Sequence, residues 1–278
     1  MVSNFHLPPT GYGPGSQPSD EGAELEYMQL PQDMRAYTAH IPEVEFNPAL
    51  TAAMEVMGQI AHAADSAASG GANTRFDLSE LNAENRALVT ETMGHGEVSI
   101  RMHGIPAIAA QESVFAGIWS LKGADLDAIE VGPVPAQARS RAFEPLRIGQ
   151  GAQAAKTPAV INAPPLLVEL TDKSRAYTAE DEVHVINLSL LPHTEDDLAW
   201  LDMALGQGSV DILSRGYGNC RVTSTAMPHV WQVQFFNSMD TLILDTYEVT
   251  EMPEVAIAAP EDLADSAGRL REVLEAIR

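Results

Sequence analysis

The chain has 278 residues, 45% of them hydrophobic, which is enough apolar content to fill two cores of ordinary size. Its formal net charge of −23, from 16 Lys plus Arg against 39 Asp plus Glu, repels phosphate backbones and anionic membrane surfaces, so nucleic acid is excluded as a partner. There is no run of about 18 apolar residues and no secretory leader, and a single cysteine cannot build a disulfide framework; the expectation is a cytoplasmic protein in a reducing compartment, with no membrane insertion.

Residues 1-45 open with MVSNFHLPPTGYGPGSQPSDEG, where proline, glycine and serine erase both helical and strand periodicity, and this stretch reads as a flexible amino-terminal arm. The first ordered unit is expected over 46-136. Asn47 ahead of Pro48 suggests a helix start, and Leu50, Met54, Met57 and Ile60 form one apolar stripe. A short strand in RFDLSEL, a helix opened by Asn82 and an antiparallel meander follow. Residues 137-160, rich in Gln, Ala and Gly and locally basic, read as an interdomain linker.

The second unit, 161-256, repeats that order: a helix near Asn162, a strand from Val183 to Leu190, and a helix opened by Thr194. Glu195, Asp196 and Asp197 sit in its first turn, where carboxylates suit the helix dipole better than a metal. Four strands follow, at about 209-214, 220-226, 230-236 and 241-249. The chain ends, over 257-278, in an amphipathic helix with Leu263, Leu270, Val273, Leu274 and Ile277 on one face.

The two units are an internal repeat. Gly94, Gly96, Val98, Ile100, Gly104 and Trp119 stand 112 positions before Gly206, Gly208, Val210, Ile212, Gly216 and Trp231. Phe76-Asp77-Leu78-Ser79 matches Ile186-Asn187-Leu188-Ser189 at 110, and the helix openings Phe46-Asn47 and Ile161-Asn162 pair at 115. Glu130-Val131 and Glu248-Val249 lie 118 apart, so the second copy has gained six residues within FFNSMDTLILDTYEV. The fold expected is therefore α+β, with two pseudo-repeated domains of helices on an antiparallel sheet.

In the second meander the turns at 215-218 and 237-240 lie at one end and form a polar rim. Arg215, Gly216, Tyr217, Gly218, Asn219, Arg221, Asn237, Ser238 and Asp240 are the candidate partner-binding residues. Strand alternation turns Cys220 to the side of Val222 and Ser224, and its counterpart in the first copy is Ile108. That reads as a buried thiol, with a redox or cluster-ligand role for Cys220 as the alternative. The eight histidines show no metal-ligand spacing, and no nucleophile elbow, Walker loop or dinucleotide glycine motif occurs, so neither an enzyme nor a cofactor is expected.

The segments SRGYGNCR, VWQVQFFNSMD and ILDTYEV, within a match over residues 188-277, resemble the HupH/HyaF/HoxQ family of hydrogenase expression proteins. The resemblance implies a non-catalytic accessory protein or chaperone in the maturation of nickel–iron uptake hydrogenases. It would act on the precursor of the small, iron–sulfur subunit before export, with a thioredoxin-like accessory protein as a further partner. The acidic body would draw in the basic twin-arginine leader of that precursor, and the rim would recognise it locally. The alternative is a thiol-dependent redox or iron–sulfur scaffold that uses Cys220 in an oligomer.

Overall fold

A computed structural model describes residues 48–215 and 219–277. The expectations for the amino-terminal arm and for Asn47 lie outside the described residues. The first repeat contributes α1 (Thr51–Ala68), β1 (Thr74–Asp77), α2 (Ala83–Met93), β2 (Val98–Met102), β3 (Ile108–Glu112), β4 (Ile118–Gly123) and β5 (Leu126–Val131). After the short α3 (Ala136–Arg141), the second repeat gives α4 (Ala163–Ala176), β6 (His184–Asn187), α5 (Glu195–Leu205), β7 (Val210–Ser214), β8 (Asn219–Ser224), β9 (Val230–Phe236) and β10 (Leu242–Val249). The last element is α6 (Pro260–Ile277).

The strands form one ten-stranded antiparallel sheet in the order β1-β5-β4-β3-β2-β7-β8-β9-β10-β6. The two meanders are thus joined edge to edge through β2 and β7, where separate sheets had been expected. Ile100 pairs with Ile212, its own counterpart in the other repeat, and Ser99 with Leu213 mirrors Arg101 with Asp211. A local twofold axis therefore passes through the Ile100–Ile212 pair. Joining the strands there satisfies two edges that would otherwise be left open.

Strand alternation divides the core. Ile118 and Ile129 face a layer made by α1, α2 and α6, with Met57, Ile60, Leu88, Val89, Leu270 and Val273. Val230 and Tyr247 face the equivalent layer of α4 and α5, with Leu167, Leu170, Trp200 and Leu201. On the opposite face Trp119, Trp231, Ile100, Ile212 and Val222 pack under Ala138, Ala142, Met252 and Ala256. All five apolar residues expected on one face of α6 are buried. They cover the first repeat, where the small residues Ala61, Ala64 and Ala67 of α1 are buried in the same layer and allow close helix approach.

The helix starts show why the chain folds in this register. Asn82 caps α2 and Thr194 caps α5, the latter with a reciprocal capping box to Asp197. The first helix of each repeat is capped from a distance. Asn85 Oδ1 accepts from Ala53 N–H at 2.8 Å, and its Nδ2 donates to the Ala49 carbonyl at 2.7 Å. Its counterpart Asp197 accepts through Oδ1 from the N–H groups of Ile161, Asn162 and Ala163 at 2.8, 2.9 and 3.0 Å. The buried positions Ala53, Met57 and Ile60 match Ala163, Leu167 and Leu170. The first helices therefore align at a spacing of 110, which corrects the 115 drawn from the Asn-Pro and Asn-Ala openings.

Residues 137-160, expected as a linker, include most of α3 and a 3-10 turn at Gly151–Gln153. Trp200 donates its indole N–H to the Ala154 carbonyl at 2.9 Å, and the Lys156 ammonium lies 4.8 Å from the Trp200 ring centroid. The segment is laid along α5. Among the described residues no helix is long and apolar enough to cross a membrane.

Candidate partner-binding rim

The rim is built where β7, β8, β9 and the start of β10 end together. Asn219 pairs with Phe236 across β8 and β9, so both turns emerge at one end of the sheet. Asn237 organises the second turn: its Oδ1 accepts from the N–H groups of Met239 and Thr241 at 2.9 and 3.0 Å. Its main-chain N–H donates to the Thr241 carbonyl at 2.9 Å. Asp240 takes a positive φ of 55°, a conformation that Asp tolerates better than most residues. Asp240 Oδ1 then accepts from Asn219 Nδ2 at 2.7 Å and ties the two turns together.

Leu213, Arg215, Asn219, Arg221, Phe236 and Asp240 line one cavity of about 460 Å³. Four of the expected rim residues thus converge. Asn237 shapes the turn behind them, Ser238 is exposed on it, and Gly216, Tyr217 and Gly218 lie outside the described residues. Sequence reasoning missed Leu213 and marked Phe236 only through the resembling segment VWQVQFFNSMD, although alternation alone places 213, 221 and 236 on one face of the sheet. The Arg221 guanidinium carbon stands 5.4 Å from the Phe236 ring centroid, a cation–π contact that steadies a long side chain.

Cys220 points to the other face. It is 4% exposed in the core with Val222, Trp231 and Val233. Burial, and then the charge of Glu248, push its thiol up to about 11, so it is protonated near neutral pH. Its counterpart Ile108 fills the matching buried slot in the first repeat. Among the described residues no three His, Cys, Asp or Glu side chains are grouped to hold a metal ion.

The first repeat lacks the rim. At a spacing of 112 the counterparts of Arg215, Asn219, Arg221 and Phe236 are His103, Ala107, Ala109 and Ala124. Trp119 pairs with Glu130 as Trp231 pairs with Glu248, so the six added residues lie within the β9–β10 hairpin, the one that supplies Asp240.

The family model described as the HupH hydrogenase expression protein, C-terminal conserved region, matches residues 50–147 and 160–277. The chain belongs to the HupH hydrogenase expression protein family. The two matched stretches of this HupH-type chain are its two repeats. A Rhodobacter capsulatus protein called "Hydrogenase expression/formation protein HupH" is 63% identical over 100% of both chains. "Hydrogenase expression/formation protein HoxQ" of Cupriavidus necator is 44% identical over 99% of this chain and 98% of its own length. "Hydrogenase-1 operon protein HyaF" of Escherichia coli is 30% identical over 98% of this chain and 95% of its own.

Proposed function

We propose that this protein is a non-catalytic accessory factor in the maturation of a nickel–iron uptake hydrogenase. It works in the cytoplasm, where it binds the precursor of the small, iron–sulfur subunit before export. The names of its relatives place hydrogenase expression at the centre of this reading. The observation that carries it is the rim: a polar, open cavity at the end of the second repeat, made from residues that the first repeat does not have. Guanidinium groups, amides and an aromatic wall are recognition chemistry for another polypeptide.

The body and the rim divide the work. A net charge of −23 raises the local concentration of basic segments, and the twin-arginine leader of the precursor is such a segment. The rim then discriminates at short range. A thioredoxin-like accessory protein is the second partner in this reading. The test is co-purification with full-length and leader-deleted small-subunit precursor: capture of the full-length form is expected, with weaker capture of the leaderless one. Capture of neither form would overturn the reading.

A further inference from the structure

The structure points to a carboxylate site in the rim cavity: we propose that Arg215 and Arg221 receive an acidic side chain of the partner polypeptide, a step that rests on the reading of the rim as a polypeptide-binding surface. Most arginines of this acidic chain are already matched with carboxylates. Arg75, Arg86, Arg139, Arg141, Arg147, Arg269 and Arg271 each stand within ion-pair distance of an Asp or Glu. Arg101, Arg175, Arg215 and Arg221 have no such partner among the described residues, and of these four Arg215 and Arg221 line the same cavity. Leaving two guanidiniums unmatched side by side, in a chain with more than twice as many acids as bases, is the unusual feature.

The charge in the cavity fixes what fits. Its one acid, Asp240, has Oδ1 engaged by Asn219, so two guanidiniums against one carboxylate leave a single positive charge. One further carboxylate neutralises it. A guanidinium presents paired N–H donors that match the two oxygens of a carboxylate, and the Phe236 ring beneath Arg221 limits the orientations of that fork. Leu213 and Phe236 add apolar wall, which suits a carboxylate on an aliphatic stem and not a bare ion. The volume of about 460 Å³ falls in the range of about 300–1,000 Å³ typical of ligand pockets and has room for residues flanking the acid. The −23 body repels any extended polyanion, so the carboxylate must arrive singly, on a polypeptide that is otherwise neutral or basic.

The first repeat is a built-in control. Its counterparts to Arg221 and Asn219 are Ala109 and Ala107, and His103 in place of Arg215 is engaged by Asp211 at 2.7 Å. Leu213 has Arg101 as its counterpart, a single guanidinium set opposite Asp211 across β2 and β7, so no pair of unmatched guanidiniums stands there.

The experiment is a titration of the full-length protein, ¹⁵N-labelled at arginine, with the capped dipeptide N-acetyl-Leu-Glu-amide. N-acetyl-Leu-Gln-amide and inorganic phosphate serve as comparison probes. Two arginine Nε–H resonances, assigned by their loss in R215Q and R221Q, are expected to shift with the Glu peptide and not with the Gln peptide. Each single variant should weaken binding by about tenfold or more, the usual effect of removing a charge-assisted hydrogen bond. Both side chains are exposed, so the variants should fold, and circular dichroism checks this. Equal shifts with the Gln peptide, no shift at millimolar peptide, or phosphate binding as tightly as the Glu peptide would each overturn the carboxylate site. If the small-subunit precursor is captured equally by the R215Q/R221Q double variant, the site fails while the proposed function stands. If the Glu peptide binds and the precursor is not captured, the site stands and the proposed function fails.

Discussion

At the scale of single residues, Asp197 does the most for the second repeat. It is 1% exposed, and besides the three donors at the start of α4 its Oδ2 accepts from Thr194 N–H at 3.0 Å. Burial opposes its charge, but these backbone donors outweigh the penalty and hold the carboxyl at about 2. Because the folded value lies below the unfolded one, the carboxylate contributes full stability above pH about 4 and loses that contribution as pH falls toward about 2. Asp197→Ala should cost roughly 3 kcal/mol in urea denaturation at pH 7, since it strands one buried and three part-buried backbone donors. Asp197→Asn should cost less, because Asn85 caps α1 without a charge. The gap between wild type and either variant should narrow between pH 4 and pH 2. Part of this role was legible in the sequence: three acids after Thr194 mark a helix start. The cap on α4 was not, because it joins residues 34 to 36 positions apart and only the fold brings them together.

At the scale of elements, the strands of the second meander lie within about two residues of their expected bounds, because glycines and polar turns punctuate an alternation that a one-residue slip would invert. The rim was readable for the same reason: four strands of known length dictate which turns share an end. The start of α1 was harder to place, since its cap comes from Asn85 in another helix. The β9–β10 hairpin can be tested alone. Trimming its six additional residues, so that it matches the two-residue turn between Gly123 and Leu126, should leave the sheet folded while abolishing precursor capture. A trimmed protein that still captured the precursor would show that Asp240 and its turn are dispensable. The terminal helix behaves differently. Deleting residues 260–278 uncovers Leu263, Leu270, Val273, Leu274 and Ile277, each buried side chain being worth about 1.5–3 kcal/mol. The sum approaches the net stability of an ordinary protein, so the truncated chain should fail to accumulate as a cooperatively melting species in calorimetry.

At the scale of the whole molecule, charge is the property with the longest reach. If the −23 body steers a basic segment, the association rate should fall steeply as ionic strength rises from about 0.01 to about 0.3 M, while the dissociation rate changes little. Stopped-flow mixing with a fluorescent leader peptide measures both, and an association rate indifferent to salt would remove steering from the account. The union of two repeats into one sheet was the least legible feature. Periodicity identifies strands and their faces, but nothing local in VSIRM or VDILS says that these two will pair with each other.

The carboxy-terminal helix follows the second repeat in the chain yet seals the core of the first. A half-length molecule built on this plan would carry a lid that fits its neighbour, and its central strand would find its match only in a sister copy across a true dyad. Such a molecule would be an intertwined homodimer whose assembly slows on dilution. Tethering both copies in a single polypeptide makes that exchange intramolecular, so refolding of the present chain should proceed at a rate independent of protein concentration.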